Sequence, residues 1–198
     1  MTRAEKDVQV QSTDESRLFS VNYSYECLAK HDKGHQHDAY KYLWKAKVSP
    51  NVTITTWRVL VGRIPTRDCL SRRGVTLNTT LYALCQTKDE TCQHVFLGCK
   101  YAMCVWSSCF KWIGILFVQH NELKTHFESF HLIQASSKQN LVWKGVWTAI
   151  IRCMWEQRNS VIFKQGVVDV EEVFQKAQLK SWLWIKHKVH TFNYSFMD

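Results

Sequence analysis

The sequence predicts a mainly α-helical protein: a small helical domain around a zinc-knuckle-like site, followed by a long-helix C-terminal region. Three observations carry this. Between Asn140 and Lys164 the apolar residues Trp143, Trp147, Ile150 and Met154 recur every three or four positions, as on one buried helical face. From Val170 to Lys188 the same spacing aligns Val170, Val173, Phe174, Ala177, Trp184 and Ile185, with Lys and Gln on the other faces. Between Tyr82 and Cys99, cysteines and a histidine stand at metal-ligand separations in Y-A-L-C-Q-T-K-D-E-T-C-Q-H-V-F-L-G-C.

Residues 1–18 are polar and read as a flexible lead-in to a first domain at 19–112, whose core is 40–112. A helix from Asn22 to Lys30 puts Tyr25 and Leu28 on one side. In the H-D-K-G-H-Q-H stretch that follows, His31, His35 and His37 are of metal-binding type, but Gly34 and the surrounding polarity favour a solvated loop. A short helix then spans Asp38 to Lys45. The stretch from Pro50 to Arg63 is a conflict, because V-T-I-T-T-W-R-V-L-V is rich in β-branched residues. Its length, a proline suited to a first helical turn, and Ile54, Trp57 and Val61 on one face favour a helix. In the next helix Thr66 caps the start, Asp68 and the pair Arg72 and Arg73 complement the two ends of the dipole, and Gly74 supplies a left-handed stop. After a turn region from Val75 to Leu84, helices are expected from Glu90 to Gly98 and from Lys100 to Trp112. Residues 113–138 form a weakly patterned connection, 139–190 the C-terminal helical region and 191–198 a tail.

At 198 residues and 45% hydrophobic content the chain buries a substantial core, and most of its nine tryptophans lie in apolar periodic stretches suited to packing. The net charge of +9 is uneven: residues 1–40 carry −2, residues 41–112 carry +8 and residues 113–198 carry +3. The basic excess therefore surrounds the cysteine segment, where it attracts phosphate backbones. Eight cysteines, with an opening M-T-R-A-E-K-D-V too charged for a signal peptide, point to a reducing compartment. The longest apolar run, Trp112 to Val118, is far short of the roughly 20 residues that span a bilayer, so no membrane segment is expected.

Cys85, His94 and Cys99 are the predicted metal ligands. A cysteine at position 82 would complete C-x2-C-x8-H-x4-C; Tyr82 stands there instead. A phenol titrates near pH ~10 and is a poor replacement for a thiolate. Cys92 is the nearest spare thiol, while Cys69, Cys104 and Cys109 lie further from the pattern.

The segments L-W-K-A-K-V-S-P-N-V, W-R-V-L-V-G-R-I-P-T-R-D-C-L-S-R-R-G-V, C-Q-T-K-D-E-T-C-Q-H-V-F-L-G-C and Y-A-M-C-V-W resemble the zinc-binding domain that follows the polymerase in plant LINE-type retrotransposon reverse transcriptases. The resemblance covers residues 40–112 in register. Its flanks extend it from Phe19 to about Lys188, through F-S-V-N-Y-S-Y-E-C-L upstream and W-E-Q-R-N-S-V-I-F and W-L-W-I-K downstream. It implies a zinc cofactor and carries the family's motif, C-x2-C, an E-T pair and H-x4-C, onto Cys85, Glu90, Thr91, His94 and Cys99, with the first cysteine falling on Tyr82.

No adjacent aspartates occur that would form a polymerase metal site, and there is no Gly-rich phosphate loop, G-x-S-x-G elbow or H-E-x-x-H helix. The expected function is therefore non-catalytic: an intracellular accessory module, nuclear or cytoplasmic, that binds RNA or DNA without sequence preference. Arg58, Arg63, Arg67, Arg72, Arg73, Lys88 and Lys100 are the expected phosphate contacts. The alternatives are a degenerate retroelement fragment with no selected activity, and a three-ligand zinc hydrolase with Glu90 as base.

Overall fold

The computed structural model describes residues 38–46, 48–116, 118, 120–133 and 135–188. The lead-in, the expected helix at 22–30, the loop holding His31, His35 and His37, and the tail lie outside the described residues. Seven α-helices follow in order, and no named strand occurs among the described residues.

Helix α1 (Asp38–Lys45) anchors through Leu43, which is fully buried, while Tyr42 and Trp44 are exposed. Helix α2 (Pro50–Leu60) resolves the strand-helix conflict in favour of a helix, with proline in its first turn. Its threonines accommodate the helix by bonding backwards: Thr53 and Thr55 donate to the Ser49 and Asn51 carbonyls at 3.3 and 2.8 Å. The buried face differs from the expected one. It comprises Val52, Thr53, Thr56, Val59 and Leu60, whereas Ile54 is 41% exposed and Trp57 and Val61 are half-buried. In a segment so rich in β-branched residues several stripes are equally apolar, and the position of neighbouring helices chooses among them.

Helix α3 (Arg67–Arg72) ends as expected on Gly74 at φ 81°. A strand-like turn closed by an antiparallel bridge between Leu81 and Asp89 leads to a wide π-type turn, His94–Gly98. Helix α4 (Lys100–Ile113) then runs to Gly114 at φ 73°. The connection contains a short helix, α5 (Leu123–Ser129), with Leu123, His126 and Phe127 buried. The ammonium of Lys144, 4% exposed, donates to the Phe127 and Glu128 carbonyls at the end of α5, and burial lowers its pKa to about 8.

Helix α6 (Ser137–Lys164) starts with a capping box: Ser136 Oγ accepts from the Gln139 amide at 3.3 Å and Gln139 Oε1 accepts from the Ser136 amide at 2.8 Å. Every residue from Lys144 to Ile151 is buried, so α6 is not the one-faced amphipathic helix that its tryptophan spacing suggests. It runs through the middle of the fold, packed against α1, α2, the π turn and helix α7 (Val170–Lys188). Gln165 at φ 53° and Gly166 reverse the chain between α6 and α7. A Cβ at Gly166 would sit 3.3 Å from the Ser160 carbonyl carbon and 2.3 Å from its hydroxyl oxygen, so a side chain here would force the Ser160 hydroxyl to turn away and its backbone to give slightly.

One core joins these elements. Trp106, Trp147, Phe96, Phe127 and Ile150 are completely buried in it, and Val173, Phe174 and Ala177 of α7 close it. Both central indoles are satisfied: Trp106 Nε1 donates to the Phe96 carbonyl at 2.7 Å and Trp147 Nε1 to His126 Nδ1 at 2.8 Å. Among the described residues no helix is long and apolar enough to cross a membrane.

Candidate metal centre

Two short pieces of chain bring the predicted ligands together. The first is the turn between Leu81 and Asp89, in which the Tyr82 amide donates to the Lys88 carbonyl at 2.8 Å and Cys85 lies at the tip. Gln86, at φ 52°, turns the chain just after the cysteine. The second is the π turn. Thr91 Oγ1 accepts from the His94 amide at 3.1 Å and so starts it, and the Cys99 amide donates to the His94 carbonyl at 2.8 Å to end it. Five residues of ordinary α-helix rotate by about 500°, leaving the first and last roughly 140° apart. The wider turn with a bond from i+5 to i brings His94 and Cys99 to one side.

The result is a tight three-donor cluster. One ligand atom each from Cys85, His94 and Cys99 lies within 4.8 Å of the other two, and Cys85 Sγ is 3.1 Å from His94 Nε2. Zinc bound tetrahedrally needs donors about 3.4–3.8 Å apart, so the Cys85–His94 pair would open slightly and any wider separation in the cluster would close to admit it. Burial pushes the Cys85 thiol up, but bonds from the Thr87 hydroxyl, the His94 ring and the Thr87 and Lys88 amides outweigh this and hold its pKa at about 6. Burial raises Cys99 to about 11; the Tyr101 and Ala102 amides at the start of α4 pull it down and the neighbouring Cys85 pushes it up. A cation between the two sulfurs would relieve that repulsion.

The fourth corner is not supplied. Tyr82 is 2% exposed and its ring packs edge-on against His94, centroids 5.6 Å apart. Burial, with the charges of Cys99 and Glu90 adding, raises its phenol well above the ordinary value, so it keeps its proton. Cys92 does not substitute: it lies outside the cluster, and burial, with the charges of Asp68 and Cys69 adding, raises it to about 12 against the lowering hydrogen bond with Thr66. Cys104 is exposed, and Cys109 is buried within the core.

Glu90 has a role that its place in the sequence did not show. It is completely buried, and Oε1 accepts from Arg158 Nε at 3.1 Å, from Arg158 Nη2 at 2.5 Å and from the Arg67 amide at 3.1 Å. It therefore supplies the first amide of α3 with its acceptor, while the hydroxyl of Thr66, expected to cap that helix, donates to Asp68 at 2.5 Å. Its Oε1 is thus committed to the scaffold, and helix formation starts on Thr91, not on Glu90.

The basic residues fall into two groups. Arg63, after α2, and Arg73, after α3, meet where the Arg73 guanidinium donates to the Arg63 carbonyl at 3.5 Å, and Arg58 and Arg72 are exposed on the last turns of the same helices. Arg72 also pairs with Asp68 at 2.9 Å. Lys88 and Lys100 are exposed beside the metal ligands, three residues after Cys85 and one after Cys99. Arg67 is half-buried and donates to the Leu81 carbonyl at 2.5 Å, which makes it part of the scaffold.

Residues 19–106 match the family described as zinc-binding in reverse transcriptase. The matched segment includes all three donors and ends within α4, so α5, α6 and α7 lie beyond it. No curated protein and no solved structure matches the chain.

Proposed function

We propose that the chain is a non-catalytic, zinc-binding and nucleic-acid-binding accessory module derived from a plant LINE-type retrotransposon reverse transcriptase, acting in the nucleus or cytoplasm without the polymerase and ribonuclease H centres. The observation that carries this reading is the convergence of Cys85, His94 and Cys99 within 4.8 Å inside a segment matching a zinc-binding family. These three residues would hold the ion, which would supply structural cross-linking of the turn to the start of α4. Arg58, Arg63, Arg72, Arg73, Lys88 and Lys100, all exposed, would meet phosphates of RNA or DNA. The test is binding of fluorescent single- and double-stranded RNA and DNA across a salt series. Steep weakening with salt is expected; no binding at low ionic strength would refute the nucleic-acid part.

Tyr82 favours a second reading, a degenerate retroelement fragment with no selected activity. A buried, protonated phenol at the first ligand position is what remains when selection for four ligands has been lost. Under that reading the purified chain folds without zinc and ignores added metal.

A further inference from the structure

The W-E-Q-R-N stretch at the end of the core of α6 places Arg158 beneath the metal-binding loops, although the two are far apart in sequence. Arg158 is 4% exposed; its guanidinium lies over the Trp155 ring at 4.7 Å, and donates Nη1 to Asn159 Oδ1 at 3.0 Å and Nε and Nη2 to Glu90 Oε1. Glu90 is the residue on which the pieces of the site converge. Its amide donates to the Thr80 carbonyl at 2.9 Å, which ties it to the turn carrying Cys85, and its carbonyl accepts from the Asp68 amide at 3.4 Å. Its side chain holds the first amide of α3, and the next residue, Thr91, starts the turn carrying His94 and Cys99.

We propose that Arg158 is a positioning residue for the metal centre: by fixing Glu90 it sets the Cys85 turn against the His94–Cys99 turn, so α6 is part of the scaffold that presents the three donors. The proposal rests on the metal-binding reading for its first readout only. Without the guanidinium, the buried Glu90 carboxylate keeps only one amide on Oε1 and has no partner on Oε2. A charge left in that state turns outward or takes up a proton, and either response releases the junction of the two turns. Groups that orient metal ligands from outside typically change metal affinity by about 10–100-fold when removed.

The experiment uses the full chain with Arg158→Met, which keeps the apolar stem over Trp155, with Arg158→Lys, which keeps charge but not the two-pronged geometry, and with Ile150→Val as a control. Zinc affinity is measured by competition with a chromophoric chelator. In metal-free protein the alkylation rate of Cys85 is followed by peptide mass spectrometry. Arg158→Met should weaken zinc at least tenfold and raise Cys85 alkylation at least threefold, Arg158→Lys should recover part of both, and Ile150→Val should change neither by more than twofold while lowering Tm. Arg158→Met within twofold of the parent on both readouts, or an equal change in Ile150→Val, would overturn the proposal. Should Arg158→Met fail to fold, Arg158→Lys decides: a loss of threefold or more supports positioning and parental values refute it. A parent chain that binds no zinc would fail the metal reading itself, and the alkylation comparison then decides the role of Arg158.

Discussion

Cys85 and Cys99 lie within one cluster yet are biased in opposite directions, and this is visible in their chemistry. In metal-free protein Cys85 should alkylate with a midpoint near pH 6, while Cys99 should stay unreactive until the pH approaches about 11, as followed by mass spectrometry across a pH series. The sign for stability follows from the same shifts. Cys85, depressed from an ordinary 9.0, contributes stability that is present above pH 9 and is lost as the pH falls toward 6. Cys99, raised to about 11, contributes stability that is present below pH 9 and is lost as the pH rises through 11. Metal-free protein should therefore gain stability from Cys85 between pH 6 and 9 and lose the contribution of Cys99 above it, measured by urea unfolding. The three donors were legible because ligand spacing is local information. Glu90 was not, because its partner is 68 positions away and no pattern in one sequence relates the two.

At the level of elements, the H-x4-C spacing depends on the π turn. Deleting Gly98 gives H-x3-C and removes the bond from the Cys99 amide to the His94 carbonyl; zinc affinity should fall at least a hundredfold, read by chelator competition, whereas an unchanged affinity would mean the turn is not what aligns the donors. The start of α6 offers a second check. Ser136→Ala removes one half of the capping box and should cost about 1 kcal/mol in denaturant unfolding. Helices α1 and α7 have the boundaries that the sequence predicts. The buried face of α2 and the all-round burial of α6 were hidden for one reason: uniformly apolar segments contain many stripes, and only packing partners select one. Helix α5, seven residues long, is too short to carry a period.

For the molecule as a whole, one core binds the donor loops to α6 and α7, which is why a finger with only three donors retains its geometry. Ile150→Ala, at a completely buried position of α6, should lower global stability by about 2–5 kcal/mol and take the donor region with it in a single transition. If nucleic acid binds the basic surface, neutralising Arg63 and Arg73 together should reduce the slope of log affinity against log salt by about 2, uniformly across sequences. Composition made that surface legible as a charge excess, but only folding shows that Arg63 and Arg73 adjoin and that Arg67 is drawn into the scaffold. The central claim, that Cys85, His94 and Cys99 form a working metal centre despite Tyr82, is tested most directly by zinc stoichiometry and affinity in the parent, Cys99→Ser and Tyr82→Cys. One zinc per chain is predicted in the parent, none in Cys99→Ser, and tighter binding by at least tenfold in Tyr82→Cys. A parent that binds no zinc would contradict it, whatever Tyr82→Cys binds.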